Sequence, residues 1–445
     1  MSFDSDKLIA VLRGLPAAQC YRVGFSGGLD SSVLLHALVK NQRALGTELR
    51  AVHVNHHIHP QSDDWRRHCE RICQSLHIPF ECRNVEVKPE KGESLEAVAR
   101  ERRYAVYREL MRAGDTLLLA HHQDDQMETF LLQALRGAGV RGLAAMPALA
   151  GFGPGKLARP LLGFSRAELQ VWAQAQKLIW LDDPSNADER FDRNYLRRQI
   201  IPMIRARWPA AGETVSRSTR HCADTLGALT ALAEADLVRC ADPEGHTLTV
   251  DGLQALDEPR AKNLLRHWLQ KLQLPSPPSH KLEQVFTEIL TAGDDRNPCV
   301  SWDGAELRRY RNRLYGLSPL PESPAGEVRL RRGEPMQLGP NLGRLSLVPA
   351  TGGGLRASAC PVEGFRVAFR AGGEVCQPVG RTHHRPLKKW LQEYGVVPWM
   401  RERLPLVYAG NELAAVASLF VCAPFAAGKG EPGLRIEWRS HPVLH

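Results

Sequence analysis

The chain lacks any run approaching the roughly 20 consecutive apolar residues of a membrane-spanning helix, so no membrane partner is expected. Its first residues, MSFDSDKLIAVLRGLP, carry two aspartates before a short amphipathic stretch and lack the basic-then-apolar layout of a secretory leader. A cytoplasmic protein is therefore expected. None of the ten cysteines forms a C-x-x-C pair, which argues against a disulfide framework and against the usual zinc ribbon. No internal repeat and no low-complexity tract is present. Nor does one sign of charge dominate. Lys plus Arg is 58 and Asp plus Glu is 49, a formal charge of +9 with a sequence pI near 9.1. That modest surplus fits a nucleic-acid partner without requiring one.

What is present is ample material for packed cores: 445 residues, 43% of them hydrophobic, which as a prior means two to four domains. Cys69, Cys73 and His77 fall at i, i+4 and i+8 and in principle could hold a metal. The simpler reading puts Trp65, Cys69, Ile72, Cys73 and Leu76 on the buried face of one helix, where a free thiol packs as a small hydrophobe.

From residue 20 to about 135 strand-like and helix-like periods alternate: CYRVGF, LRAVHVNH, ECRNVEV and DTLLLAHH read as strands with helices between them. This predicts an α/β fold, a doubly wound parallel sheet whose ligands bind at the carboxyl ends of the strands. An extended piece (LARPLL) and a helix (SRAELQVWAQAQKL) follow. The stretch 213–241 reads as one long helix, and with PRAKNLLRHWLQKLQL and HKLEQVFTEILTA it makes a mainly helical middle unit. SPLPESPAGE at 318–327 looks like a linker, and the short alternating stretches beyond it suggest a small mixed α/β domain with one basic helix, RPLKKWLQEYG. The expected domains are 1–212, 213–320 and 321–445.

The stretch VGFSGGLDSSVLLHAL, residues 23–38, carries the most specific chemistry. Two glycines, an aspartate and three serines lie between a strand and a helix. Such a turn leaves the first helical N–H groups unpaired, and glycine lets the backbone close on an anion, most often phosphate. It is not a Walker A loop, since no lysine follows Gly28, and it is not G-x-G-x-x-G. It offers backbone donors, the hydroxyls of Ser26, Ser31 and Ser32, and Asp30, a carboxylate suited to magnesium beside phosphates. Ser26-Gly27-Gly28-Leu29-Asp30-Ser31 resembles the S-G-G-x-D-S pyrophosphate loop of the N-type ATP pyrophosphatases, which cleave ATP between its α and β phosphates.

Three more constellations narrow the class. AHHQDDQMETFLLQALRGAG, 120–139, sets His121, Asp125 and Glu128 on one helix face. ESLEAVARERRYAVYREL, 93–110, is an amphipathic helix with Arg100, Arg102 and Arg103 at its middle, where Arg103 can point at a phosphate or simply be solvated. DDPSNADERFDRNYLRRQIIP, 182–202, joins turn chemistry to dense positive charge at a helix start, where the helix dipole disfavours arginine.

In this order and spacing the four are similar to the bacterial tRNA(Ile)-lysidine synthetases, with matching residues at Glu96–Tyr104, His121–Thr129, Arg159–Leu162 and Asp183–Arg197. RPLKKWLQEYGVVPWMRERLP, 385–405, is similar to a stretch of that family's carboxyl-terminal domain. The resemblance implies an ATP-dependent ligation of free L-lysine to C2 of the cytidine at anticodon position 34 of the CAU-anticodon isoleucine tRNA. An adenylated cytidine would precede lysidine, and codon reading would change from AUG to AUA. It implies ATP and Mg2+ as cofactors, and leaves a homodimer open.

On this reading Ser26, Gly27, Gly28, Leu29, Asp30, Ser31 and Ser32 bind pyrophosphate, Asp30 binds the metal, and Arg103 offsets phosphate charge. The segment VHVNH, 52–56, follows the second strand where adenine is expected, with His53 either binding it or structural. Lysine's amine, with an aqueous pKa near 10.4, needs a neighbouring group to orient it and accept a proton. Asp125 is the first candidate, then Glu128 and His122. Arg193, Arg197, Arg198, Arg381, Arg385, Lys388, Lys389 and Arg401 are candidate tRNA phosphate partners. A tRNA thiolase of the same loop class would need catalytic cysteines or an iron–sulfur site. A GMP- or NAD-type synthetase would need an ammonia source. A non-enzymatic RNA-binding protein would leave the intact loop without use.

Overall fold

The strand-like runs between residues 20 and about 135 form the parallel strands their alternation with helices predicts, and two further strands, at 149–152 and 155–158, complete one six-stranded sheet. The structure is a computed structural model that describes residues 2–90, 94–184, 188–293, 296–322, 326–339 and 341–444. It divides into two compact units, Met1–Ala228 and Leu229–His445.

In the first unit, α1 (Ser5–Arg13) precedes β1 (Cys20–Gly24), α2 (Leu29–Lys40), β2 (Glu48–Asn55), α3 (Ser62–Ser75), β3 (Phe80–Asn84), α4 (Leu95–Leu110), β4 (Asp115–Leu118), α5 (Gln123–Leu135), β5 (Leu149–Phe152), β6 (Gly155–Ala158) and α6 (Arg166–Ala175). The sheet order is β3-β2-β1-β4-β6-β5, parallel except for the β5–β6 hairpin. The chain winds outward from β1 through β2 and β3, then returns to place β4 on the other side of β1. This reversal opens a crevice at the carboxyl ends of β1 and β4. The loop after β1 and the His-His-Gln-Asp-Asp segment after β4 both lie there.

All five residues of β1 are buried, so the strand reads as a continuous run and not as an alternation. Val23, Phe25, Leu34, Leu35, Leu38 and Leu118 are at most 1% exposed and form the core under the crevice. Each contributes about 1.5–3 kcal/mol by burial. Cys69 and Cys73 belong to this core, whereas His77 is exposed beyond the end of α3. Arg22, 3% exposed on β1, donates to Asp115 at 2.7 Å and to Glu81 at 3.0 Å, tying β1 to two other strands through a buried ionic triad.

Beyond α6, a π-helical turn (Leu196–Ile200) runs into α7 (Ile201–Arg207), and α8 (Ala211–Cys240) is the long helix expected at 213–241. In the second unit α9 (Glu258–Lys271), with Trp268 fully buried, packs with a four-stranded antiparallel sheet. That sheet includes Thr247–Thr249, a strand the composition of the region did not announce. The rest holds antiparallel sheets of five and four strands and α10 (Leu387–Glu393), the basic helix read from RPLKKWLQEYG. Tyr315 packs edge-on against Trp399 at 5.2 Å, so the middle sheet and the carboxyl-terminal strands share a core. Of the expected linker 318–327, residues 323–325 lie outside the described residues, and Leu320 packs on that core. Among the described residues no helix is long and apolar enough to cross a membrane.

Candidate functional site

The loop after β1 needs its glycines. Gly27 has φ +83°, and a Cβ there would sit 2.8 Å from Cys69 Sγ, so a side chain is excluded both by backbone conformation and by space. Gly28 is the N-cap of α2 with no side-chain cap, which leaves the first N–H groups of α2 free to face an anion. The serines mostly knit the loop together. Ser31 Oγ donates to Gly28 O at 3.1 Å and lies 3.0 Å from Ser26 Oγ, while Ser32 Oγ donates to Gly27 O at 3.4 Å. Ser31 and Ser32 are buried, and the Leu29 side chain is in the core, so this residue can meet a ligand only through its backbone.

Asp30 projects from the first turn of α2. Its Oδ1 is buried and has no hydrogen-bond partner among the described residues, an orphaned carboxylate oxygen where a cation or donor is required. Its Oδ2 lies 3.5 Å from His122 Nε2, and that nitrogen is also 3.5 Å from Asp125 Oδ2. His122 is the N-cap of α5: its ring accepts from Asp125 N at 3.4 Å, and Asp125 Oδ2 accepts from His122 N at 3.0 Å. Burial lowers the His122 pKa, but the Asp125, Asp30 and Asp124 carboxylates outweigh it and raise the value above 6.5. For Asp125 burial works upward, and His122, His121 and Arg193 outweigh it and hold the carboxyl below its usual range. Asp124 caps α6, accepting from Arg166 N at 2.8 Å, pairs with Arg205, and keeps Oδ2 3.7 Å from His122 Nδ1.

Glu128, one turn further along α5, is completely buried. It accepts from Arg193 Nε at 2.7 Å, Arg197 Nε at 2.6 Å and Arg197 Nη2 at 3.0 Å. Arg197 also reaches Asp125 Oδ1 at 3.3 Å. The arginines that burden a helix start in sequence are thus matched by carboxylates of α5. Leu181 N donates to Gly27 O at 2.9 Å, so the segment that leads to these arginines starts on the glycine loop. Ser185 and Asn186 of its Asp-Pro-Ser-Asn turn lie outside the described residues.

His53 is placed differently from the reading of 52–56 as a segment after the second strand. Residues 52–55 are the end of β2 itself, and buried His53 bonds Phe25 O through Nδ1 at 2.9 Å. It ties β2 to the start of the glycine loop. His56 does follow the strand. Burial, with Arg103 and His53 adding, pushes its pKa down to about 4. Arg103 is half-buried on α4, and its charge acts on His56. Sequence reasoning named Arg159 and Arg100 within their motifs but gave neither a role at the site; Arg159 is 8% exposed, and the Arg100 guanidinium meets Tyr104 by a 3.2 Å hydrogen bond and a 4.8 Å approach to the ring. The one signal for Arg159 was its place at the head of Arg-Pro-Leu-Leu.

In the second unit the basic residues sort into two kinds. Lys388 and Lys389 are exposed on α10. Arg381 and Arg385 pair with Glu393 at 2.7 and 3.3 Å and cover the Trp390 ring, yet stay exposed. Arg401 instead donates to Val396 O at 2.9 Å and to Tyr310 Oη at 3.1 Å, which makes it a structural tie and corrects its reading as a phosphate partner.

Three family models match the chain: a PP-loop domain over residues 5–204, a TilS substrate binding domain over 248–315 and a TilS substrate C-terminal domain over 365–438. Whole-chain relatives include the tRNA(Ile)-lysidine synthase of Coxiella burnetii, 39% identical over 438 residues, covering 98% of this chain and 96% of the relative. That of Alkalilimnicola ehrlichii is 42% identical over 432 residues, covering 96% and 95%. That of Xanthomonas campestris pv. campestris is 40% identical over 420 residues, covering 94% of each.

Proposed function

The chain belongs to the tRNA(Ile)-lysidine synthase family, ligases that modify tRNA and carry an ATP-binding PP-loop domain, and from that premise we propose a two-step reaction in the crevice above β1 and β4. The O2 of cytidine 34 in the CAU-anticodon isoleucine tRNA attacks the α-phosphorus of ATP, and pyrophosphate leaves. The amino group of free L-lysine then attacks C2, the C2–O2 bond breaks, and AMP departs with that oxygen. The lysidine so formed reads AUA in place of AUG. The observation that carries this reading is the meeting of Asp30 with His122 and, through it, Asp125 at 3.5 Å, which joins the nucleotide loop to the acid–base helix.

In the first step catalysis is positioning and electrostatics. The free N–H groups at the start of α2, with the helix dipole behind them, stabilise charge on the departing pyrophosphate. The orphaned Asp30 Oδ1 fits a magnesium ion. Among the described residues no cluster of three or more potential ligands surrounds it, so phosphate oxygens and water would complete the shell. When bound, the ion would offset negative charge between the phosphates.

In the second step the lysine amine must lose its proton, a population cost of about 5 kcal/mol at pH 7. Asp125, held ionised by its neighbours, accepts a hydrogen bond from the amine and takes a proton once the new C–N bond makes that nitrogen strongly acidic. Glu128 is committed to two guanidinium groups, so it acts as a positioning residue for Arg193 and Arg197. Residues 213–320 and 321–445 dock the tRNA, with Lys388 and Lys389 supplying salt-dependent phosphate contacts.

The test is ATP-dependent incorporation of labelled lysine into unmodified isoleucine CAU tRNA. The expected result is incorporation there and none into the methionine CAU tRNA. Release of AMP and pyrophosphate with some other substrate, without lysine incorporation, would overturn the reading.

A further inference from the structure

His121 precedes the N-cap of α5 and has a different environment from His122. Arg159 Nε donates to its Nδ1 at 3.3 Å, and Arg159 is anchored in turn by Nη1 donating to Pro147 O at 2.8 Å. A guanidinium only donates, so Nδ1 must carry its lone pair and the ring proton must sit on Nε2. Among the described residues no hydrogen bond engages Nε2, and the ring keeps a partly exposed edge. The charged groups that face the ring are Asp125 on α5, Arg159 after β6, Arg100 on α4 and Arg193. Three of the four are cations, so an anionic oxygen is the partner this environment favours.

We infer that His121 is a neutral imidazole whose fixed Nε2–H donates to a phosphoryl oxygen of the bound nucleotide, with Arg159 as the positioning residue that holds the tautomer. This rests on the reading of the crevice as the adenylation site. Neutrality has a use there. A second imidazolium beside Asp125, added to His122, would compete further with lysine's amine for that carboxylate, whereas a neutral N–H contributes a donor without that competition. Burial, with Arg159, Arg100 and Arg193 adding to it and Asp125 only partly opposing, holds the His121 pKa down near 3, so the ring stays neutral throughout the working range. The phosphoryl oxygen belongs either to ATP before transfer or to the adenylated base after it.

Long-range nitrogen–proton NMR on the full chain reads the tautomer without turnover. Wild type is expected to show His121 protonated at Nε2 only, with no titration between pH 5 and 8. A His121 signal that titrates above pH 6, or an Nδ1–H tautomer, overturns the inference. Arg159→Met is expected to raise the His121 pKa and to add an acid limb to the pH profile of kcat/KM, which Arg159→Lys does not add. A flat profile with only a uniform loss overturns the positioning role.

His121→Leu is expected to lower the rate by about 100-fold or more, the effect of deleting one preorganised donor. His121→Gln, whose amide N–H can replace Nε2–H, is expected to lose less than about tenfold. Equal losses in the two variants, or a loss below threefold in His121→Leu, overturn the donor role. Slower pyrophosphate release in a single turnover assigns the contact to ATP, and slower lysine transfer alone assigns it to the adenylated base. A wild-type enzyme that forms no lysidine overturns the proposed function instead, while the NMR result still decides the tautomer.

Discussion

Glu128→Gln separates a buried anchor from a catalytic base. The carboxylate is completely buried and receives three charge-assisted hydrogen bonds of 2.6 to 3.0 Å from Arg193 and Arg197. Gln has the same shape but no charge, and its amide nitrogen faces a guanidinium. Breaking a buried ion pair by removing one partner costs about 3–5 kcal/mol. Here the arginine side chains are 22% and 33% exposed, so water takes part of their charge, and about 2–3 kcal/mol is expected. In a unit of 228 residues that lowers the first thermal transition by about 5–10 °C.

Loss of the anchor also lets both guanidinium groups drift, and a displacement of about 1 Å costs on the order of 100-fold in rate. The assay is calorimetry for the melt and single-turnover lysidine formation for the rate, with Glu128→Asp as a charged control expected to fall between. A Glu128→Gln protein that melts within 1 °C of wild type and retains its rate would refute the anchoring argument. One that keeps its melt but loses an acid limb from its pH profile would restore Glu128 as the proton acceptor.

Gly27→Ala is expected to destabilise by about 1–3 kcal/mol, from strain at φ +83° and the 2.8 Å approach to Cys69 Sγ; urea unfolding checks the stability and nucleotide-dependent protection checks ATP binding, which is expected to be lost. Asp30→Ala is expected to abolish AMP formation while tRNA retention on a filter persists. Lys388→Glu with Lys389→Glu is expected to weaken tRNA binding and to reduce the slope of log affinity against log salt by about two; an unchanged slope would remove α10 from the tRNA interface. Stability should also depend on pH through His121. Its folded pKa near 3 lies below the usual 6.5, so the unfolded chain binds more protons between these values. Its contribution is therefore fully present above pH 6.5 and is lost as pH falls towards 3, by up to about 1.4 kcal/mol per unit. Unfolding of His121→Gln should show a shallower slope in that window.

The parallel sheet and the loop at its centre were legible because both are local. Strand and helix periods are written in consecutive residues, and Gly27-Gly28 before an apolar helix specifies a backbone conformation that few other residues adopt. The segment 52–56 was misplaced because the buried end of a strand continues through polar residues when their groups find backbone partners, as His53 does at Phe25. Arg401 was misread for a related reason: charge in a sequence does not reveal whether a carbonyl and a phenol already hold it.

By itself the sequence determined the α/β framework, the anion-binding turn and the carboxylates of α5, since each is set by residues within a turn or two of one another. The tertiary structure decided the pairing of those groups. Glu128 meets Arg193 and Arg197 across 65 and 69 residues, His121 meets Arg159 across 38, and Asp30 is brought to His122 from the other side of the sheet's reversal point. The protonation of His121, His122 and Asp125 depends on burial and on charges a few ångströms away, and those distances exist only once β1 and β4 lie side by side.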